Sequence, residues 1–194
     1  MTRYVVIGIV VCVALFAIVY MKMTIDEKKG ANSEEKQKIK NIVRTAVPNS
    51  EAYTAAYGTR EEYSFSGGGR RVTSTTKYWY YGVAFKPGDL YLVPLSFEGG
   101  DIGCSEPIHF GKDDLGMAET KNGLLTLYGK DRKELMNLFV VASNTKEDKY
   151  HPVNIQQKEE AEAFMEFAKA FAQEINAANG ITDIKAAKKE AGKR

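Results

Sequence analysis

The sequence is poor in the residues that most often carry chemistry. Histidine occurs twice (His109 and His151), cysteine twice (Cys12 and Cys104) and tryptophan once among 194 residues. Two cysteines make no disulfide framework, and one lies in an apolar run while the other lies in the polar remainder, so they are badly placed to pair. That pattern suits a reducing compartment. No Cys-x-x-Cys or His-x-x-x-His pair is present, and Cys104, His109, Asp113 and Asp114 lack metal-ligand spacing, so neither a metal nor a cofactor is expected. Cys104 with His109 would need a rigid turn and an orienting third group to act as a thiol and its base; neither is indicated, and no catalytic residue is assigned. Charge of one sign is lacking too: 27 basic against 25 acidic residues leave a formal +2, with no pointer to nucleic acid. There is no internal repeat.

What the sequence does have is one long uncharged stretch. Tyr4 to Met21 contains no charge, and 11 of its residues are Val, Ile, Leu or Phe. As a helix it would span roughly 27 Å, close to the hydrocarbon thickness of a bilayer. Tyr4 and Tyr20 sit where interfacial aromatics would, and no small-residue cleavage site follows Ala17. The expectation is therefore a single transmembrane helix in the cell membrane, with the lipid bilayer as partner of residues 4–21. Lys22, Lys28, Lys29, Lys36, Lys38, Lys40 and Arg44 follow it and only Arg3 precedes it, which points to a cytoplasm-facing domain.

The remainder divides into a linker and helix over 24–50, a domain over 51–180 and a basic tail over 181–194, following 1–23 as the membrane segment with its flanks. Asn32 and Glu35 resemble a reciprocal helix cap, and Ile39, Ile42, Val43 and Ala46 give the following helix a narrow apolar stripe that ends at Pro48. From residue 51 the period shortens to two. Glu51–Tyr57 and Glu62–Phe65 read as short strands interrupted by a flexible loop, Ser66–Arg71. Lys77–Lys86 is the clearest strand, with Trp79, Tyr81, Val83 and Phe85 on one face and Tyr78, Tyr80, Gly82 and Ala84 on the other. Pro87-Gly88 suits a type II turn. Asp89–Phe97 follows, placed by Pro94 at an edge or a bulge.

Glu98–Asp101 is a turn, Glu106–Phe110 a short strand, and Leu115–Thr120 with Leu124–Tyr128 a hairpin around Asn122-Gly123, a pair that favours the type I′ turn. Leu135–Ala142 has strand composition. Gln156–Ala178 is helical, with Phe164, Phe167, Ala168, Phe171 and Ile175 on one face and Asn179-Gly180 as the stop. The tail is expected to fray. The fold class is α+β: an N-terminal transmembrane helix, then a small bent antiparallel sheet or barrel of about six or seven strands capped by a C-terminal amphipathic helix. This element order resembles the pleckstrin-homology-like fold, including its membrane-tethered bacterial versions, over residues 51–178, without a diagnostic motif.

Two features are candidates for binding. In Gly67-Gly68-Gly69-Arg70-Arg71 the glycines would let backbone N–H groups approach an anion that the arginines clamp. Held near a membrane, such a loop would meet anionic headgroups; a solvated hairpin loop is the simpler account. Tyr78 and Tyr80 would offer a surface to a protein or peptide partner if the adjoining face is uncovered. The leading expectation is a membrane-anchored, non-enzymatic binding or scaffold module, with anionic headgroup binding as the alternative and an enzyme with an unrecognised site as the third.

Overall fold

The two-residue period from residue 51 onward folds into a run of antiparallel strands. The computed structural model describes residues 16–17, 34–68, 71–99, 101–144 and 152–191. Helix α1 (Glu34–Ala46) and a short 3₁₀ turn (Ser50–Ala52) lead into β1 (Thr54–Gly68), β2 (Arg71–Lys86), β3 (Asp89–Glu98), β4 (Asp101–Cys104) and β5 (Ile108–Gly111). After a second 3₁₀ turn (Lys112–Asp114) come β6 (Met117–Lys121), β7 (Leu124–Tyr128), β8 (Glu134–Phe139), β9 (Ser143–Asn144) and β10 (Ile155–Gln156). Helices α2 (Lys158–Ala178) and α3 (Ile184–Ala191) close the chain. The main sheet runs β4-β3-β2-β1-β8-β7-β6, with β5 also paired to β3, and β9 and β10 form a separate ribbon.

Each face of the sheet is covered by a different helix. Tyr81, Val83 and Phe85 of β2, Leu90 and Leu92 of β3, Leu125 and Leu127 of β7 and Leu138 of β8 close on Phe164, Phe171 and Ile175 of α2. Full burial of each of these side chains stabilises the fold by about 1.5–3 kcal/mol. On the opposite face α1 presses Ile39 and Val43 against Tyr57, Ala84, Val93 and Leu95. Gly82 makes that approach possible: a Cβ there would stand 2.6 Å from Val43 Cγ2. The helix expected from the stripe of Ile39 and Val43 therefore lies on the domain. Lys36 and Lys40 fasten it by reaching Glu160 of α2, each at 2.9 Å.

Turn chemistry holds where the sequence marks it. Gly88 has φ +75°, and Asn122 and Gly123 have φ +51° and +81°, the pair of positive values that a type I′ hairpin needs. Helix α2 ends in a Schellman motif: Gly180 N–H donates to Ala177 O at 3.2 Å and Ile181 N–H to Asn176 O at 2.8 Å. Pro94 is not at a sheet edge. It lies inside β3, opposite Tyr81 of β2, where the partner on its other side changes from β4 to β5. Pro94 O accepts from Ser105 N–H at 3.0 Å. In an extended residue the N–H and C=O point the same way, so the N–H that proline lacks would have pointed into that break.

Several expectations are corrected. Among the described residues no helix is long and apolar enough to cross a membrane, which overturns the expected transmembrane helix, the single-pass reading and the cell-membrane location. Of residues 4–21, only Phe16 and Ala17 are described. The linker at 24–33 with Asn32, the residues Gly69 and Arg70, and His151 also lie outside the described residues. The main sheet has eight strands, not six or seven. Of the expected strand Glu51–Tyr57, Glu51 and Ala52 lie in the 3₁₀ turn and only Thr54–Tyr57 is strand, which runs on through Glu62–Phe65 as one 15-residue strand; the supposed loop is strand up to Gly68, which pairs with Arg71. The tail does not simply fray. Asp183 Oδ1 caps α3 by accepting from Lys185 N–H (2.8 Å) and Ala186 N–H (3.1 Å), and Ala187 is buried against Met117 and Tyr128.

Candidate functional site

Strands β1 and β2 are far longer than the sheet that holds them. They pair with each other from Thr54–Phe85 to Gly68–Arg71. Yet β1 meets β8 at the single pair Thr59–Phe139, and β2 meets β3 only from Tyr80–Leu95 inward. Positions 60–68 and 71–79 thus form a two-stranded arm that runs on beyond the last pairs with β8 and β3 among the described residues. Nine residues of strand make it roughly 30 Å long. The strand continues through Gly67 and Gly68 because no side chain is needed to satisfy a ladder, while Thr73, Thr75 and Thr76 supply β-branched stiffness on the other strand.

The arm carries aromatic side chains that no core covers. On one face Tyr63 is 61 % exposed and Phe65 74 % exposed, beside the half-buried Tyr78; on the other Trp79 is 47 % exposed. Trp79 Nε1 donates to Glu62 Oε2 at 3.1 Å, and the Tyr63 hydroxyl donates to Glu61. That hydrogen bond holds the Tyr63 hydroxyl above its usual pKa. Tyr80 lies at the root of the arm, half-buried, stacked on Tyr57 at 6.3 Å and edge-on to Phe97 at 5.4 Å. The glycine-arginine segment therefore sits at the tip: Gly67, Gly68 and Arg71 end the two strands there, and Gly69 and Arg70 lie outside the described residues. The exposed trio of Tyr63, Phe65 and Trp79 was missed by sequence reasoning. The available signal was the alternation Tyr63-Ser64-Phe65-Ser66 facing Thr73–Thr76 across the glycines.

A second cluster gathers at the turn between β2 and β3. Asp89 accepts from the Tyr53 hydroxyl and lies 2.5 Å from His109 Nε2, while Lys86 Nζ stands 3.8 Å from its carboxylate and 4.3 Å over the Tyr53 ring. The His109 ring stacks on Tyr91 at 4.4 Å. Burial pushes the Asp89 carboxyl up, but the hydrogen bonds of Tyr53 and His109 and the charges of His109 and Lys86 outweigh it and hold it below its usual value. Burial, then the bond to Asp89, raises the Tyr53 hydroxyl. Both carboxylate oxygens are committed, so the cluster acts as a clamp joining the start of β1, β3 and β5. His109 is four positions along β3 from the residue facing Cys104, roughly 13 Å away, so the two are not a thiol and its base.

A cleft of about 830 Å³ lies between α1, the first 3₁₀ turn and the start of α2, and includes Lys40, Arg44, Glu51, Tyr53, Glu159 and Glu160. Burial raises the Glu160 carboxyl, but hydrogen bonds from Lys36, Lys40 and its own backbone N–H lower it further. That is opposite to the shift a carboxylate base working near neutrality requires. Among the described residues no three His, Cys, Asp or Glu side chains gather in a way that could hold a metal ion. No protein-family model, curated protein or solved structure matches the chain.

Proposed function

We propose that the domain is a non-enzymatic binding module whose partner is a protein segment in extended conformation, taken up along the open edge of the β1–β2 arm. The observation that carries this reading is the pairing itself: positions 60–68 and 71–79 have only each other as strand neighbours among the described residues, while Tyr63 and Phe65 stand exposed on the same ribbon. Open strand edges bind extended segments through main-chain hydrogen bonds, and adjacent side chains supply selectivity. A two-stranded ribbon is marginal by itself in water, so a further strand would stabilise it. The antiparallel strands closed by the long helix α2 support the resemblance to the pleckstrin-homology-like fold.

The test is a photo-activated cross-linking amino acid placed at Phe65 in living cells, with the same group at exposed Lys158 of α2 as control. Adducts to a protein from position 65 and none from 158 support the reading. Equal adducts at both positions, or none at 65, overturn it.

A further inference from the structure

We propose that the segment taken up by the arm is the same arm of a second copy, joined β2 to β2 in an antiparallel, two-fold pairing with Thr75 on the axis; this rests on the arm being the binding site. Three observations lead there.

The first is that the β2 edge carries only one of the usual guards against such pairing, an edge lysine. Natural edges are blunted by proline, bulges or inward charges. From Thr73 to Trp79 this edge carries one charge, Lys77, no proline, and an unbroken register against β1.

The second is charge. With Thr75 on the two-fold axis, Ser74 faces Thr76 of the other copy and Thr73 faces its Lys77, so no like charges meet. Lys77 keeps Glu62, its register partner within its own arm, on the other side. Side chains facing across each pair also share a face of the sheet, as antiparallel pairing demands.

The third is that the β1 edge suits such pairing less well: the axes that keep its charges apart, at Ser64 or Phe65, bring Gly67 and Gly68 into the pairing, and strands disfavour glycine. An axis at Glu61 or Glu62 puts two carboxylates face to face. An axis at Tyr63 sets Glu61 against Phe65 and strips water from a charge beside an apolar ring. Pairing of β1 with β2 of another copy is heterologous and gives a ring or an open filament in place of a two-fold dimer. The two-fold β2 pairing closes at two copies and turns two marginal ribbons into a four-stranded sheet.

The test uses the full chain and sedimentation over a concentration series. A monomer–dimer equilibrium is expected, and Thr75→Lys, which puts ammonium groups against each other on the axis, should weaken it by about tenfold or more. Thr75→Glu should do the same, and an equimolar mixture of the two variants should dimerise again. A second measurement covers the case in which either variant disturbs the arm. In a background with Cys12→Ser and Cys104→Ser, Thr75→Cys should oxidise to a covalent dimer while Thr73→Cys should not, because only opposed residues bring Cα atoms within the roughly 4.4–6.8 Å that a disulfide spans. A monomeric wild type, dimerisation indifferent to Thr75→Lys, open-ended assembly, or equal oxidation at 73 and 75 overturns the inference. Cross-linking from Phe65 to a different protein, with Thr75→Lys lacking effect, would sink the self-pairing and leave the binding-arm reading standing.

Discussion

The side-chain amide of Gln157 stands beside Tyr57 as a strand residue would. Its Oε1 accepts from Tyr57 N–H at 2.8 Å, and its Nε2 donates to Tyr57 O and to Val141 O, each at 2.7 Å. This occurs where β1 has lost β8 as a neighbour, two residues before their single pair at Thr59–Phe139. One amide thus ties the long strand to the chain leaving β8. Asn176, near the other end of α2, does the same for Ala118 of β6: Oδ1 accepts from its N–H at 3.0 Å and Nδ2 donates to its C=O at 2.8 Å. Gln157, just before α2, and Asn176 within it cover two strand edges with two amides, without any covalent link.

Replacing Gln157 with leucine keeps the volume and removes all three bonds, leaving the backbone of buried Tyr57 without a partner. Each buried, unpaired polar group costs about 1–3 kcal/mol. Gln157→Leu should lose about 3 kcal/mol in urea unfolding, and Gln157→Glu should also destabilise, since a carboxylate cannot donate to Tyr57 O. A loss under about 1 kcal/mol would show that β1 is held at this point by packing alone.

The Tyr57 hydroxyl gives the opposite case. It is buried without a hydrogen-bond partner among the described residues, in an apolar cluster with Ile39, Leu95, Val153 and Ile155. Burial holds its pKa above the usual range, with the electrostatic effect of Tyr80 adding to it. Tyr57→Phe should be neutral or stabilising by about 1 kcal/mol, because nothing is left unpaired when the hydroxyl goes. Tyr57→Ala should cost about 3–5 kcal/mol through the cavity it opens. Thermal unfolding of both variants checks the contrast; a Phe variant less stable than wild type would reveal a partner for the hydroxyl.

Asp89 sets a dependence on acid. Its carboxyl is lowered in the folded protein, so its contribution is complete above the unfolded value of 3.8 and is lost as pH falls through the lower folded value. The carboxylate is only partly shielded, and solvent screening limits the effect to about 1 kcal/mol or less. Asp89→Asn should therefore flatten the stability profile below about pH 4. Chemical denaturation at a series of pH values distinguishes this from an unchanged acid limb, which would mean that Asp89 is not held as described.

Packing of α1 is tested at Gly82. A Cβ at 2.6 Å from Val43 Cγ2 forces the helix or the strand to move. Gly82→Ala should destabilise by about 1–3 kcal/mol as an overpacked contact does. Combining it with Val43→Ala should recover part of that loss, since the two changes share one contact. Additive losses would place the clash elsewhere.

What the residues disclosed depended on how local the cause was. The Asn122-Gly123 hairpin, the Pro87-Gly88 turn and the end of α2 at Asn179-Gly180 were legible because the backbone angles there are dictated by two residues. The faces of β2 were legible down to Tyr81, since alternation separates Tyr81, Val83 and Phe85 from Gly82 and Ala84. The same alternation put Trp79 with the core, and there it failed: the pattern continues past Tyr81, but the core does not. How far a hairpin outruns its sheet is set by the lengths of the neighbours, β3 and β8, and no residue in β1 or β2 records it. Three glycines at 67–69 read as a loop for the same reason, although a paired neighbour makes Gly67 and Gly68 strand. The amide bridges of Gln157 and Asn176 join residues 100 and 58 positions apart, a distance no local pattern spans.

The arm offers the separation of binding from folding that the other sites do not. Phe65 is 74 % exposed and Tyr63 is 61 % exposed, so neither contributes much buried area to the domain. Phe65→Ser and Tyr63→Ser should each change stability by about 0.5 kcal/mol or less, as surface substitutions do. Shortening the hairpin is the harsher form of the same test. Joining Arg60 to Trp79, which are register partners, through an Asn-Gly turn removes residues 61–78 while keeping every strand pair that β1 and β2 make with β8 and β3. The Asn-Gly pair is chosen because its positive φ angles match the twist of the flanking strands. The shortened protein should unfold within about 1 kcal/mol of the intact one, because a solvated two-stranded ribbon adds little net stability. It should also yield no dimer in sedimentation. A large loss of stability on shortening would mean that the arm is part of the fold's support, and the case for a surface set aside for binding would fail with it.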